Sequence, residues 1–389
     1  MDELTHSAAP SHGAASLEQE DLSPLQTTAG SGATSHRELD GETLPQSQTK
    51  PGNWRLDDTD LMRAAAALLI CNSHLKQFYP FTWMGGDGLL GNSFFFFLSG
   101  FGIALAAHSR NQGFFRWYGR RIGRIYPTVI LGVIFLELPI FGEWRGAGPL
   151  GYVRLLIWPT PYYFVSTIMV VYVLLYWLLK AKSLALHVAC IAAMACVAVG
   201  IFAFQVSRMR PHEPLVLGEM VWAHNFYFCA VTLLGALLSP ITRRPVKTFW
   251  RDVSCLCVIF AIYVAAKFAM DHGHVPQAAP SLHVMVVVMC LLTLRDSAAD
   301  ELHEVFHRFK WLGASVAWLA ALTLAIYVVQ FYVMSSPTIA HLRRPVNILA
   351  FWAITIFGAF LLHKAAGLVL RWLESAAQWF TRRPSVHVH

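Results

Sequence analysis

Charge is what this sequence has least of. Asp, Glu, Lys and Arg make up 14% of the 389 residues, while 56% are hydrophobic. A soluble domain carries about 25% charged residues, so the shortfall excludes an ordinary soluble fold and points to repeated membrane spans. A cysteine framework is also missing. The seven cysteines lie within or at the ends of apolar runs, at no metal-type spacing, and read as buried thiols. The first fifty or so residues lack any apolar stretch that could act as a signal-peptide core. Rich in Ser, Thr, Gly, Gln and acids, residues 1–54 read as a disordered cytoplasmic tail. The net charge of +7 does not indicate nucleic-acid binding, because the basic residues cluster in short loops between apolar runs. There they set membrane orientation.

Apolar runs fall at about 59–79, 92–107, 127–141, 162–179, 184–204, 218–238, 253–270, 281–294, 311–334 and 346–363. They predict an all-α fold, a polytopic transmembrane helix bundle of about ten spans occupying residues 55–375. A short cytoplasmic tail, 376–389, follows. Loops on the side of Arg121 hold fourteen Lys and Arg against six on the other side. The positive-inside rule then puts that side and both termini in the cytoplasm of a multi-pass protein of the cell (inner) membrane.

The most informative stretch is RAAAALLICNSH, Arg63 to His74, inside the first run. An ionisable pair within a span is costly to bury and defaults to a functional hypothesis. Eleven positions at about 100° each leave the two side chains about 20° out of phase, some 16 Å apart along the axis. A cation at a groove entrance and an imidazole about three turns deeper suit a long anionic ligand with a buried reactive end. The competing reading has Arg63 snorkelling to the interface and His74 as a helix-contact residue.

Farther on, Ser99, Gly100 and Gly102 in LSGFG are small enough for a neighbouring helix or a ligand to come close. The next loop is the most basic. It holds Arg110, Arg116, Arg120, Arg121 and Arg124, and Pro127 opens the third span behind it. Guanidinium groups at Arg121 and Arg124, three apart on one helix face, could clamp phosphates, or merely orient the protein. Glu137, an acid in an apolar span, needs a partner, with His74 and Arg63 as candidates. Tyr327 and Gln330 put polar groups in the ninth span. His303 to His307 reads HEVFH, the zinc-protease pattern, but it sits in a charged loop with no third ligand at a plausible spacing, so no metal is expected. His272, His274 and His283 flank an outer loop and read as solvated.

Taken in order, Arg63-x10-His74, FFFLSGFG with Phe95, Phe96, Ser99 and Gly100, and RWYGRRIGRIYP with Arg121 and Arg124 resemble the acyltransferase 3 family of membrane acyltransferases. Weaker similarity runs through NFYFCAVTLLGALLS and LAIYVVQF, and the whole covers about residues 56–374. The resemblance implies an enzyme that takes an acyl group, acetyl by default, from acyl-CoA (acetyl-CoA) in the cytoplasm. The acceptor would be a hydroxyl of an extracytoplasmic carbohydrate such as exopolysaccharide or lipopolysaccharide, an O-acetylation. It implies His74 as the catalytic residue with Arg63 shaping its pocket. Arg121 and Arg124 would hold the donor's phosphates, with Arg120 and Ser99 also placed beside the donor. Where many relatives have His after Tyr327, this chain has Gln330. The chemistry suits such residues, since a thioester is already activated and mainly needs orientation and a base. An acyl-histidine relay is a second use of the same imidazole. The rival class is a secondary transporter or flippase with a buried Arg/His pathway, although no internal repeat is visible.

Overall fold

A computed structural model describes residues 57–107, 112–140, 148–157, 162–208, 221–239, 249–271, 279–294 and 299–381. The tail 1–54 falls outside them, as do Arg110, His272 and His274. Among the described residues every regular element is a helix. In chain order these are α1 (Asp57–Ser73), two 3-10 turns (Lys76–Phe78 and Thr82–Gly85), α2 (Gly88–Ala107) and α3 (Phe114–Gly132). A π-helical segment (Val133–Glu137) carries α3 into a last turn, α4 (Leu138–Ile140). Then come α5 (Pro149–Leu156), α6 (Tyr163–Ala181), α7 (Leu184–Arg208), α8 (Val221–Leu238) and α9 (Phe249–Asp271). The chain continues with α10 (Ala279–Leu292), α11 (Ala299–Arg308), α12 (Lys310–Met334), α13 (Pro337–His341) and α14 (Val346–Thr381).

The all-helical fold agrees with the apolar runs, but the number of spans differs. Among the described residues seven helices are long and apolar enough to cross a bilayer: 88–107, 114–140, 164–181, 184–205, 250–269, 310–334 and 346–376. The other three expected spans correspond to α1 and to the shorter apolar stretches Trp222–Leu238 and His283–Leu292. In α1 the apolar run is cut at one end by Asp57, Asp58 and Asp60, acids that complement the positive helix N-terminus. At the other end the helix stops at Ser73, short of the expected 79. The basic segment expected as a loop is helical as well. Pro127 sits inside α3 rather than at its start, removing one backbone bond from the helix interior.

Buried helices gather in the middle. α1 packs on α2 and α12, α2 also packs on α8, and α12 meets α14 and α3. The apolar window of α2 is 67% buried, that of α9 only 6%, which sets α2 at the centre and α9 at the rim. Contact between α2 and α8 is backbone to backbone. A Cβ on Gly100 would stand 1.8 Å from the Thr232 carbonyl oxygen, and one on Gly235 would stand 2.1 Å from that of Phe97. Without a solvent-driven hydrophobic effect inside a bilayer, such close packing is what joins spans. Phe96 and Phe228 stack beside it, 4.4 Å apart and nearly parallel.

Gly100→Ala and Gly235→Ala should each lower thermal stability in detergent, since overpacking costs about 1–3 kcal/mol or more. Gly119→Ala and Gly123→Ala, where an added Cβ meets nothing within 4 Å, should not lower it. Thermal unfolding of the four variants checks this.

Candidate active site

At one end of α1, Arg63 pairs with Asp60 one turn earlier, Nη1 to Oδ1 at 3.3 Å, and its side chain stays 41% exposed. Gly102 of α2 leaves it room, because a Cβ there would lie 3.6 Å from Arg63 Nη2. Across from both stands the buried Tyr172 of α6. Arg121, Arg124 and Arg63 all lie close enough to act electrostatically on its hydroxyl. The arginines expected to meet a donor therefore come together from α1 and α3 around one tyrosine. Arg121 is the most constrained. Its guanidinium lies 3.9 Å over the Trp117 ring, and Nη1 donates to the Trp117 carbonyl at 3.4 Å. Its Nε is buried with no partner among the described residues. Arg124 and Arg120 are exposed beside it. Such a patch offers guanidinium donors to phosphate oxygens. Ser99 does less than expected, since its hydroxyl turns back to the Phe95 carbonyl of its own helix at 2.9 Å.

His74 stands at the other end of α1, one residue past the helix, about 16 Å from Arg63 by helical rise. Its direction is set by the turn that closes with His74 N–H donating to Cys71 O at 3.2 Å, not by helical phase. The imidazole packs edge-on against Phe331 of α12, centroids 4.9 Å apart. Its ring nitrogens bond to none of the described residues.

That turn is clasped by the Gly-rich loop. Asn72 Nδ2 donates to the Met84 carbonyl at 2.8 Å and Asn72 Oδ1 accepts from Tyr79 at 2.5 Å. A Cβ on Gly85 would strike Lys76, one on Gly88 would strike Ser73 Oγ, and Gly86 turns at φ +67 beside Asn72. Between them Asp87 ties the loop to the rim helices. Its Oδ2 accepts from Tyr263 at 2.8 Å and meets His283 Nε2 at 3.1 Å and Lys267 Nζ at 3.3 Å. Its Oδ1 caps α2 through the Leu89 and Leu90 N–H groups at 2.9 and 3.3 Å. Lys267 Nζ also donates to Gly86 O at 3.0 Å. Burial opposes ionisation of Asp87, but His283, Lys267 and Tyr263 outweigh it and hold the carboxyl well below the usual range. Thus His283, expected to be solvated, is fully buried, and Asp87, which no local pattern singles out, is a hub.

Glu137 finds its partner on α12. Tyr332 donates to Glu137 Oε2 at 2.6 Å, and Tyr162 is linked to Tyr332 at 2.5 Å, all in the interior. Gln330 is fully buried, with neither amide atom bonded among the described residues. On α11, His303 Nδ1 meets Asp57 at 3.1 Å and its ring lies 6.5 Å from His307. Among the described residues no three His, Cys, Asp or Glu side chains group as metal ligands.

Asp87→Asn should cost about 3 kcal/mol or more, because it leaves the largely buried Lys267 ammonium without its carboxylate. Asp87 has a depressed folded pKa, so its contribution is complete above about pH 4 and fades as the pH falls below that value. The gap in stability between wild type and Asp87→Asn should therefore be constant near neutrality and narrow in acid, as thermal unfolding across pH would show.

A helix bundle with an arginine cluster at one end of its first helix and, at the other, an imidazole with no hydrogen-bond partner among the described residues can now be set against known proteins. No curated protein and no solved structure matches the chain. The acyltransferase domain family model, acyltransferase 3, matches residues 56–364. That range takes in α1 through the first half of α14 and every residue of the arginine and His74 ends, and the chain belongs to this acyltransferase family.

Proposed function

We propose that the protein moves an acyl group, acetyl by default, from acyl-CoA to a hydroxyl of an extracytoplasmic carbohydrate such as exopolysaccharide or lipopolysaccharide. It would do so within the inner membrane, with the Arg121 end and both termini facing the cytoplasm. The observation that carries this reading is the division of groups along α1. Arg63 joins Arg121 and Arg124 at one end, while about 16 Å away stands His74, whose ring nitrogens have no partner among the described residues. A donor with phosphates at one end and a thioester at the other matches that separation. The guanidinium forks hold the phosphates and fix the donor's depth, so that orientation supplies much of the rate.

At the far end the acceptor hydroxyl oxygen attacks the thioester carbonyl carbon while His74 takes its proton. The tetrahedral intermediate then expels the thiolate of coenzyme A, the C–S bond breaks, and His74 returns the proton to sulfur. The ester stays on the acceptor and His74 is restored. Phe331 against the ring edge and the Gly85–Gly88 clasp under the turn keep the imidazole in one place.

In a membrane assay with acyl-CoA and acceptor, His74→Ala should lower turnover about 10²–10⁴-fold at equal protein level. Unchanged turnover would remove His74 from the chemistry. Coenzyme A at a hundredfold excess over its dissociation constant should stabilise the purified protein by about 2.7 kcal/mol. Arg121→Ala or Arg124→Ala should abolish most of that gain. A secondary transporter or flippase has no reason to respond to coenzyme A.

A further inference from the structure

Trp117, the ring that carries Arg121, has a second neighbour. It forms part of the wall of an open-sided cavity of about 840 Å³ at the same end of the bundle, between the ends of α2, α3, α6, α7 and α8. Pockets of a few hundred to about 1,000 Å³ hold a ligand of drug size. Tyr176 stands beside Trp117, 5.2 Å between centroids, and its hydroxyl donates to the Gln112 carbonyl at 3.0 Å. The lining includes Lys180 and Lys182, and among the described residues no carboxylate lines the cavity. Two polar atoms in the lining have no partner among the described residues: Ser239 Oγ, in a residue 2% exposed, and the buried Oε1 of Gln112. A buried hydroxyl and amide oxygen left unpaired cost about 1–3 kcal/mol each unless something bonds them. The N-terminus of α7 opens here too, at Ser183 and Leu184, adding its positive dipole end to the two lysines.

Cations, an aromatic wall and unpaired hydrogen-bonding atoms together describe a site for a phosphorylated heterocycle. An anionic lipid head group would use the lysines but has no need of the aromatic wall or the amide oxygen. We infer that this cavity binds the nucleotide end of the acyl donor, the 3′-phosphoadenosine diphosphate portion of coenzyme A, through Lys180, Lys182, Gln112 and Ser239. This rests on the acyl-CoA reading and extends it. The adenine amine donates to Gln112 Oε1 and Ser239 bonds a ring nitrogen. Lys180 and Lys182 take the 3′-phosphate. The pyrophosphate passes Trp117 to Arg121 and Arg124, and the pantetheine arm continues toward His74.

The test uses the full-length protein in detergent and a double variant, Lys180→Gln with Lys182→Asn. Both lysines are exposed, and asparagine tolerates the left-handed backbone at 182, where φ is 53, so folding should hold. Adenosine 3′,5′-bisphosphate, the nucleotide end alone, should raise the melting temperature of the wild type and not of the variant. The variant's KM for acetyl-CoA should rise at least tenfold, while its rate with acetyl-pantetheine, which lacks the nucleotide, matches wild type. Equal response of wild type and variant to the bisphosphate would overturn the cavity and leave the acyl-CoA reading standing. Failure of coenzyme A to stabilise even the wild type would take both down. Loss of stabilisation by phosphatidylglycerol nanodiscs, with the bisphosphate response intact, would overturn it in favour of a lipid site.

Discussion

The ion pair of Asp87 with Lys267, joined by its contacts with His283 and Tyr263, is the constraint on which the His74 end of the bundle depends. A carboxylate in so little water is tolerable only with cationic and hydroxyl partners, and those partners come from α9 and α10. Once Asp87 is fixed, the glycines beside it have one place to go, against Asn72, Ser73 and Lys76 on either side of the histidine. A rim helix that buries little of itself thereby determines where a central imidazole sits. Backbone contact of α2 with α8 at Gly100 and Gly235 keeps the same helix from shifting along its axis.

The opposite end of α1 obeys a different rule. There Arg63, Arg121 and Arg124 crowd around Tyr172, and Asp60 offsets Arg63. Arg121 lies on an indole rather than on an acid, which leaves its charge available to a ligand. Such a cluster repels itself when empty and is relieved by polyanionic phosphate. Polarity thus differs along one short helix, from a cluster of guanidinium groups to an imidazole with no hydrogen-bond partner among the described residues. That gradient is what a molecule charged at one end and reactive at the other requires.

Much of this was legible in the sequence, and what was not has a common physical cause. Helical class and Gly100 as a close-contact point follow from local features, apolar length and small residues, whereas the gathering of Arg63 with the α3 arginines around Tyr172 does not. Asp87, Tyr172 and Tyr332 were missed because their partners are remote in sequence. Asp87 meets Tyr263 and His283 across 176 and 196 positions, and Glu137 meets Tyr332 across 195. Periodicity carries no information at that range. His283 was misread for the same reason, since a histidine beside a polar loop resembles a solvated one until its carboxylate is found. The end of α1 at Ser73 was also hidden, because an apolar run continues past a helix that tertiary packing has already turned.

The most direct measurement is a structure of the protein in lipid nanodiscs with a non-hydrolysable acyl-CoA analogue bound. The expected result is a single continuous ligand whose pyrophosphate lies among Arg63, Arg121 and Arg124 and whose acyl carbonyl lies beside the His74 imidazole. A ligand whose acyl end lodges away from α1, with His74 still packed only against Phe331, would contradict it.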